Sequence, residues 1–335
     1  MTPDAPRLSL VIPTRGNDAL LMRLAAALER QTVRPERVQR IVVFDGVAPR
    51  PLVLARLQAL GAEVVELERR SGPGAARNAG ARRARGEYLV FSEDDVTPEP
   101  DWLEKALARL DADRALDVLE GETLKPGGRP VRIAAAEGLS WIPTNLFVRR
   151  TLFERVGGYR EDYFDPKRGI YFREDSDFGF TLEESGARIA RAPDAVVTHP
   201  DEHLGWLDPL RWAQRYEMDA LLAARHPALF RERIEVHRMG PFTIRRPIVR
   251  AASACVLALF AALAAGAFRA PSLLPPFLVL AALAFLPIWA KWRFDLLRLP
   301  VILLVPFALV ASLLRGRVRV TAASTRSRPG TPART

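Results

Sequence analysis

The sequence predicts an α/β protein, with a mostly parallel, Rossmann-like sheet flanked by helices and C-terminal transmembrane helices after it. Three observations predict this. Short apolar runs alternate with helix-length segments through residues 1–240. From residue 248 onward two apolar blocks appear, each close to the roughly 20 residues that cross a bilayer. The formal net charge is +10 and the pI about 10.5, with six arginines gathered after Leu314.

In chain order, LSLVI (8–12), RIVVF (40–44), AEVVEL (62–67) and EYLVF (87–91) read as buried strands. Between them DALLMRLAAALERQ, PLVLARLQAL and GAARNAGARRA read as helices. Strand following helix following strand implies parallel pairing with right-handed crossovers. Residues 174–185 then read as a helix, ARIAR and DAVVTH as strands, and residues 208–225 as one longer helix. The stretch WLDPLRWAQRYEMDALLAARHP is amphipathic and carries Trp206, Trp212 and Tyr216. It suits packing on the sheet, a sugar-stacking platform, or a surface near the bilayer.

Residues 248–268 and 273–290 are apolar all round, unlike an amphipathic core helix, and read as two spans. A third run, LPVILLVPFALVASLL (299–314), is shorter: a short span, a re-entrant hairpin or an interfacial helix. Arg245, Arg246 and Arg250 precede the first span, Lys291, Arg293 and Arg298 follow the second, and Arg269 alone lies between. The positive-inside rule then predicts a multi-pass protein of the cell membrane with its soluble domain in the cytoplasm. A crossing third run would put the arginine-rich tail outside, so two spans and a membrane-embedded or interfacial third segment are expected.

The expected divisions are a soluble domain over 1–240, a membrane region over 241–315 and a basic, disordered tail over 316–335. Arginines placed directly behind apolar sequence favour lipid headgroups as partner and argue against nucleic acid. The single cysteine, Cys255, rules out an intrachain disulfide. The opening residues, MTPDAPRLSLVIP, show no signal-peptide pattern.

In an open parallel sheet, ligands bind beyond the carboxyl ends of the strands. The first strand ends in Pro13-Thr14-Arg15, the second in Asp45-Gly46 and the fourth in Glu93-Asp94-Asp95. The first two endings suit a nucleotide, Asp45 accepting from base or ribose, or are ordinary βα turns. The acidic triplet suits a hard divalent ion such as Mg²⁺ or Mn²⁺, which bridges carboxylates to substrate phosphates. Glu93 and Asp95, two apart, project to one side of an extended chain. The plainer reading is acids ahead of a helix, with Asp101 as its N-cap.

The stretch SGPGAARNAGARRARG matches neither G-x-x-x-x-G-K-[ST] nor G-x-G-x-x-G. Even so, Gly72 and Gly74 before a helix, with Arg77 one turn in, suit a diphosphate or the edge of a sugar, or simply start the helix. THPDEH sets His199 and His203 four apart without the H-E-x-x-H pattern. They read as structural or surface histidines, with His199, at a strand end, a candidate contact for metal or diphosphate.

VIPTRGN, VVFDG, GPGAARNAGARRARGEYLVFSEDD, TNLFVRRTLFERVGGYRE and REDSDFGFTLEESGARI follow one another in a familiar order and spacing. Over residues 7–200 the chain resembles the family-2 glycosyltransferases of GT-A fold. The resemblance implies transfer of a sugar from a nucleotide-sugar donor, with inversion, to a lipid-linked or cell-envelope glycan acceptor. It implies nucleotide and donor contacts by Pro13, Thr14, Arg15, Asp45, Gly74, Arg77, Asn78 and Asp94. Asp94 and Asp95 fall in the family's metal motif, with Glu93 where an aspartate is usual. Phe44 stands where many members have a second aspartate.

Thr144 and Asn145 are placed near the sugar and acceptor by the same resemblance. Glu174 and Asp175 match its paired catalytic acids, Asp175 being the general base, and Thr181 stands where an arginine is frequent. A hydroxyl is a poor nucleophile, so a base that removes its proton accelerates transfer about 10²–10⁴-fold. A helix N-terminus keeps that base ionised. No Q-x-x-R-W motif of processive synthases is present. Transfer to polyprenyl phosphate and noncatalytic nucleotide-sugar binding are the alternatives.

Overall fold

The four apolar runs read from the sequence become neighbouring strands of one sheet. The computed structural model describes residues 5–131, 143–201, 205–239 and 242–326. The chain divides into two units, Met1–Glu202 and His203–Thr335. In the first, β1 (Leu8–Thr14), β2 (Val38–Asp45), β3 (Ala62–Leu67) and β4 (Tyr88–Phe91) alternate with α1 (Asp18–Glu29), α2 (Pro51–Ala59) and α3 (Pro73–Arg83). Then come β5 (Thr97–Pro98), α4 (Trp102–Ala112), β6 (Val118–Lys125), β7 (Arg129–Pro130), β8 (Leu146–Arg149) and α5 (Arg150–Val156). The hairpin β9 (Phe164–Asp165) and β10 (Ile170–Tyr171), α6 (Glu174–Glu184) and β11 (Ile189–Thr198) complete the unit.

Among the described residues the main sheet has nine strands, in the order β3-β2-β1-β4-β8-β6-β11-β5, with β7 beside β6. The four strands legible in the sequence pair parallel, as expected. β8 runs antiparallel to both its neighbours, β4 and β6, which makes the sheet mixed. ARIAR and DAVVTH are halves of one strand, β11, whose register slips between Ala192 and Val196. Such a bulge re-aims the strand that follows it. Past the bulge, β11 meets β5 through two antiparallel pairs, Val197 with Pro98 and Thr198 with Thr97.

The core is apolar on both sheet faces, and Leu10, Ile12, Val42, Phe44, Val90 and Trp102 share one buried cluster. Phe44 belongs to this interior, which is why no second aspartate stands before Asp45. Asn17 caps α1 by accepting from the Leu20 amide. Asp101 is the N-cap residue of α4, and its carboxylate pairs with Lys105 at 2.7 Å.

The second unit begins with α7 (Asp208–Arg215), α8 (Asp219–Arg225), α9 (Pro227–Leu229) and the hairpin β12 (Val236–Met239) and β13 (Phe242–Arg245). It continues into α10 (Pro247–Ala267), α11 (Leu274–Lys291), α12 (Leu299–Ile302) and α13 (Val305–Arg326). Three stretches here are long and apolar enough to cross a membrane: Pro247–Ala267, Pro271–Lys291 and Leu299–Thr321.

Three expectations are corrected in this unit. The single helix over 208–225 is broken by a 3₁₀ turn at Tyr216–Met218. The boundary falls after Glu202 rather than near 240, because Ala213 of α7 is buried with Ala252, Ile288 and Leu309 of the apolar helices. The stretch expected to be a disordered tail from 316 is helical as far as Arg326. Arg315 and Arg319 lie 3.4 and 3.7 Å from the buried carboxylate of Glu217, which holds that turn in place. Residues 327–335, with Arg328 and Arg334, lie outside the described residues, as does His203.

Candidate active site

The carboxyl ends of β2, β1 and β4 lie side by side and carry Asp45, Thr14 and the acidic triplet. Thr14 Oγ1 donates to Asp94 Oδ2 at 2.5 Å and accepts from the Gly16 amide at 2.9 Å, tying two strand ends together. Burial pushes the Asp94 carboxyl above its ordinary range, and the Thr14 hydrogen bond opposes that. Pro13 lies on the same strand end, and Arg15 donates through Nη1 to the Asp45 carbonyl.

Asp45 does something the sequence did not suggest. Its two carboxylate oxygens accept from the amides of Ser71, at 2.6 Å, and Gly72, at 3.0 Å. It therefore shapes the loop leading into α3, and any nucleotide contact must share these oxygens. Gly72 has φ +89°, and a Cβ there would come within 2.6 Å of the Phe164 ring. The loop can turn this tightly against the β9 strand only as glycine. Gly74, in the first turn of α3, packs against Tyr159 and the Arg160 carbonyl.

Arg77 was expected to face the donor; it is 2 % exposed instead. Its Nη2 donates to Glu93 Oε1 at 3.1 Å, its Nη1 lies 3.9 Å from Glu174 Oε1, and its guanidinium covers the Tyr159 ring at 5.3 Å. Burial alone would lower the guanidinium, but Tyr159, Glu93, Glu174 and Asp175 outweigh it and hold it above its ordinary value. Arg77 is thus a fixed interior cation joining the acidic triplet to the paired acids of α6. Its Nε and Nη1 lack hydrogen-bond partners among the described residues.

Asn78 is committed elsewhere. Its side chain donates to the Tyr159 carbonyl at 2.8 Å and to Glu161 Oε1 at 3.1 Å, and accepts from the Tyr159 amide at 2.9 Å. It clamps the loop that carries Tyr159. Thr144 and Asn145 lie in the interior. Thr144 is buried, with its hydroxyl 3.0 Å from that of Thr123. Asn145 accepts from Trp102 Nε1 at 2.8 Å and donates to the carbonyls of Glu122, at 3.0 Å, and Ala195, at 2.8 Å.

Asn145 is a girder between α4, β6 and the β11 bulge. Asn145→Ala would strip the buried Trp102 indole N–H of its acceptor, costing about 1–3 kcal/mol, and remove two further side-chain hydrogen bonds to the Glu122 and Ala195 carbonyls. A loss of about 2–4 kcal/mol in thermal unfolding is expected, with donor affinity retained in the folded fraction.

The acids of α6 sit behind a strained residue. Arg173 adopts φ +74° at the N-cap, a conformation uncommon for non-glycine residues and often found at functional sites. Glu174 is buried and Asp175 half-buried. Asp175 Oδ1 accepts from the Ser176 amide at 2.6 Å and from Ser176 Oγ at 3.2 Å, fixing the carboxylate's rotation. Asp177 accepts from the Tyr163 hydroxyl at 2.8 Å. Thr181 donates back to the Asp177 carbonyl at 2.8 Å, within the helix.

Burial, reinforced by Asp175 and opposed by Arg77, pushes Glu174 up from 4.5 to about 7. Between those values the folded chain holds a proton that the unfolded chain has released, so stability falls as pH rises. The cation-free protein should melt at a lower temperature at pH 7.5 than at about pH 5. Glu174→Gln should flatten that dependence, as read by thermal unfolding with chelator present.

The acidic triplet and His199 form the described residues' one cluster with metal-ligand spacing, Glu93, Asp95 and His199. His199 Nε2 lies 3.6 Å from both Glu93 Oε2 and Asp95 Oδ2. Asp95 Oδ1 is buried without a hydrogen-bond partner among the described residues, and a buried oxygen left unpaired is what a cation would satisfy. Burial raises Glu93 while Arg77 pulls it down. His199 Nδ1 is 2.8 Å from the Pro200 carbonyl and 3.2 Å from Lys125 Nζ. Donation from Nδ1 to that carbonyl leaves the Nε2 lone pair for an ion. The set fits a divalent cation.

Sequence reasoning missed Tyr159 and Lys125. Tyr159 packs against Phe178 with ring centroids 4.2 Å apart and planes tilted by 30°, beneath Arg77, and burial drives its hydroxyl strongly upward. An aromatic residue after the Gly157-Gly158 turn was the available signal. Lys125 has none, because the pairing of β6 with β11 was not legible.

A mixed sheet with nucleotide-suited strand ends, an acidic motif and a second acid pair beyond it defines a GT-A glycosyltransferase. Residues 9–174 match the model of glycosyl transferase family 2, and the chain belongs to that family. It is 30% identical over 243 residues to the pre-mycofactocin glycosyltransferase of Mycobacterium tuberculosis, covering 65% of this chain and 48% of that one. The chain thus spans about half the length of that relative. Over 122 residues it is 34% identical to the dodecaprenyl-phosphate galacturonate synthase of Rhizobium johnstonii, covering 34% of this chain and 35% of that one. The fold matches that of the mannosyltransferase PcManGT of Pyrobaculum calidifontis, solved with GDP-Man and Mn²⁺, at TM-score 0.56 and 18% identity, covering 93% and 87% of the two chains.

Proposed function

We propose that the protein transfers a sugar, with inversion at the anomeric carbon, from a nucleotide-diphosphate donor to a hydroxyl of a lipid-linked or cell-envelope glycan. It does so at the cytoplasmic face of the cell membrane. The observation that supports this best is Arg77, whose single guanidinium lies near both Glu93 and Glu174. The acidic motif and the base-bearing helix therefore belong to one site.

In this reading the nucleotide lies over the ends of β1 and β2, near Thr14 and Arg15, with Asp45 holding the loop beneath it. Asp175 takes the acceptor proton on Oδ2, since Oδ1 is held by Ser176. The new bond forms from the acceptor oxygen to the anomeric carbon as the bond from that carbon to the diphosphate breaks. Glu93, Asp95 and His199 would hold Mg²⁺ or Mn²⁺, which supplies positive charge to the departing diphosphate. Arg77 keeps Glu93 and Glu174 apart from one another's repulsion and fixed in place.

The test is a donor screen on purified protein with Mg²⁺ or Mn²⁺ and an envelope lipid extract. Release of nucleoside diphosphate from one activated sugar, with label entering the lipid fraction, is expected. Silence across UDP-, GDP- and dTDP-sugars would refute the reading. Transfer to polyprenyl phosphate is the second reading, favoured by likeness to the dodecaprenyl-phosphate synthase. There the acceptor is already an anion, and Asp175 matters less.

A further inference from the structure

We infer that the third apolar segment does not cross the bilayer: it dips in from the side bearing the basic flanks and returns, bringing the arginines of α13 to anionic headgroups on that side. This rests on the two-span anchor expected from the sequence and on the cytoplasmic placement proposed above. Ile302, Val305 and Leu309 are buried together with Ala213 of α7, Ala252 in the second turn of α10 and Ile288 in the last turn of α11. Those turns adjoin Arg246, Arg250, Lys291 and Arg293, so the segment starts at the basic end.

Phe307 then reaches a groove lined by Leu259, Leu263 and Leu278. Leu259 and Leu263 lie roughly 13–20 Å along α10 from Arg250, at about 1.5 Å per residue. That is near the middle of an apolar layer about 30 Å thick.

A crossing helix would carry its later turns past the far ends of α10 and α11. Instead, Gly316 abuts the turn between α7 and α8: an added Cβ would lie 2.4 Å from the Glu217 carbonyl oxygen and 3.0 Å from Ala220 Cβ. Arg315 Nε and Arg319 Nη1 lie 3.4 and 3.7 Å from the Glu217 carboxylate. Two residues on, buried Asp219 accepts from Arg246 Nη2 at 2.6 Å, and Arg246 is itself one of the basic flanks. The later turns of α13 are therefore at the flank side.

The faces of α13 agree. Val305, Leu309, Ser312 and Gly316 form its buried stripe, whereas Phe307, Leu314 and Val318 are exposed. Exposed Arg317 lies beside that apolar stripe. An apolar face edged by arginine suits the headgroup boundary, where the stem lies in acyl chains and the charge reaches outward. Anionic lipid matches its sign.

The experiment places single cysteines at Glu36, Ser272 and Thr321 of the full chain carrying Cys255→Ala, in sealed vesicles treated with an impermeant maleimide. Glu36→Cys and Thr321→Cys should label from one side and Ser272→Cys from the other. Thr321→Cys labelling together with Ser272→Cys would overturn the inference by making three crossings. Glu36→Cys labelling together with Ser272→Cys would overturn the two-span anchor instead. A polarity-sensitive dye on Thr321→Cys should shift to the blue in vesicles containing phosphatidylglycerol compared with phosphatidylcholine alone. Water-like emission in both would refute the headgroup contact.

Discussion

Asp175→Asn is expected to lower kcat about 10²–10⁴-fold, the contribution of a positioned general base, while leaving donor affinity unchanged. The structure makes this a clean substitution. Oδ1 of an asparagine can still accept from the Ser176 amide, so the start of α6 keeps its geometry and only the proton acceptor is lost. Donor binding by calorimetry, beside steady-state turnover with the acceptor found in the donor screen, separates the two effects. Full turnover in the variant would remove Asp175 from the mechanism. A loss of less than about tenfold, with a phosphate-linked lipid product, would point to an acceptor that needs no base.

Chelation is expected to cost about 10³-fold or more in rate, because charge neutralisation by an ion is worth several kcal/mol at about 1.4 kcal/mol per decade. Added Mg²⁺ or Mn²⁺ should restore it. Asp95→Ala should not be rescued, since Asp95 presents to the cluster a buried oxygen with no hydrogen-bond partner among the described residues. His199→Ala should raise the ion concentration needed for half-maximal rate, because Glu93 and Asp95 remain. Activity indifferent to chelator would show that the three side chains meet for another reason.

Strands β1, β2 and β4 were legible because each is largely buried and carries an apolar run, and half-buried β3 by the Val-Val pair at its centre. β6, with sequence VLEGETLK, mixes charge into a buried strand and gave no such signal. Nor did the four residues of β8, whose antiparallel direction is set by partners on either side. The acidic triplet announced itself by repulsion that only a cation or a helix start would relieve. Position within a motif said where Asn78, Thr144 and Asn145 lie along the chain but not which way each side chain turns: Thr144 and Asn145 turn inward, and Asn78 turns to the Tyr159 loop.

Distance along the chain hid the rest. Glu217 and Arg315 are separated by 98 residues, and hydropathy reports how long an apolar stretch is, not whether its far end comes back. His199 was visible only as the end of a strand. The bulge in β11 and its short pairing with β5 aim it at the acids.

That two-rung ladder has a practical consequence. The pairs Val197–Pro98 and Thr198–Thr97, with the Glu99 amide donating to the Val196 carbonyl at 3.1 Å, fasten the tip of β11 to the stretch just after the acids, and an ion gripped from both sides would act as a further fastening. Occupancy should then appear as heat tolerance, since a ligand at a hundred times its Kd adds about 2.7 kcal/mol to the folded state. A melting curve alone, with no sugar or lipid in the tube, would rank the cations this protein prefers.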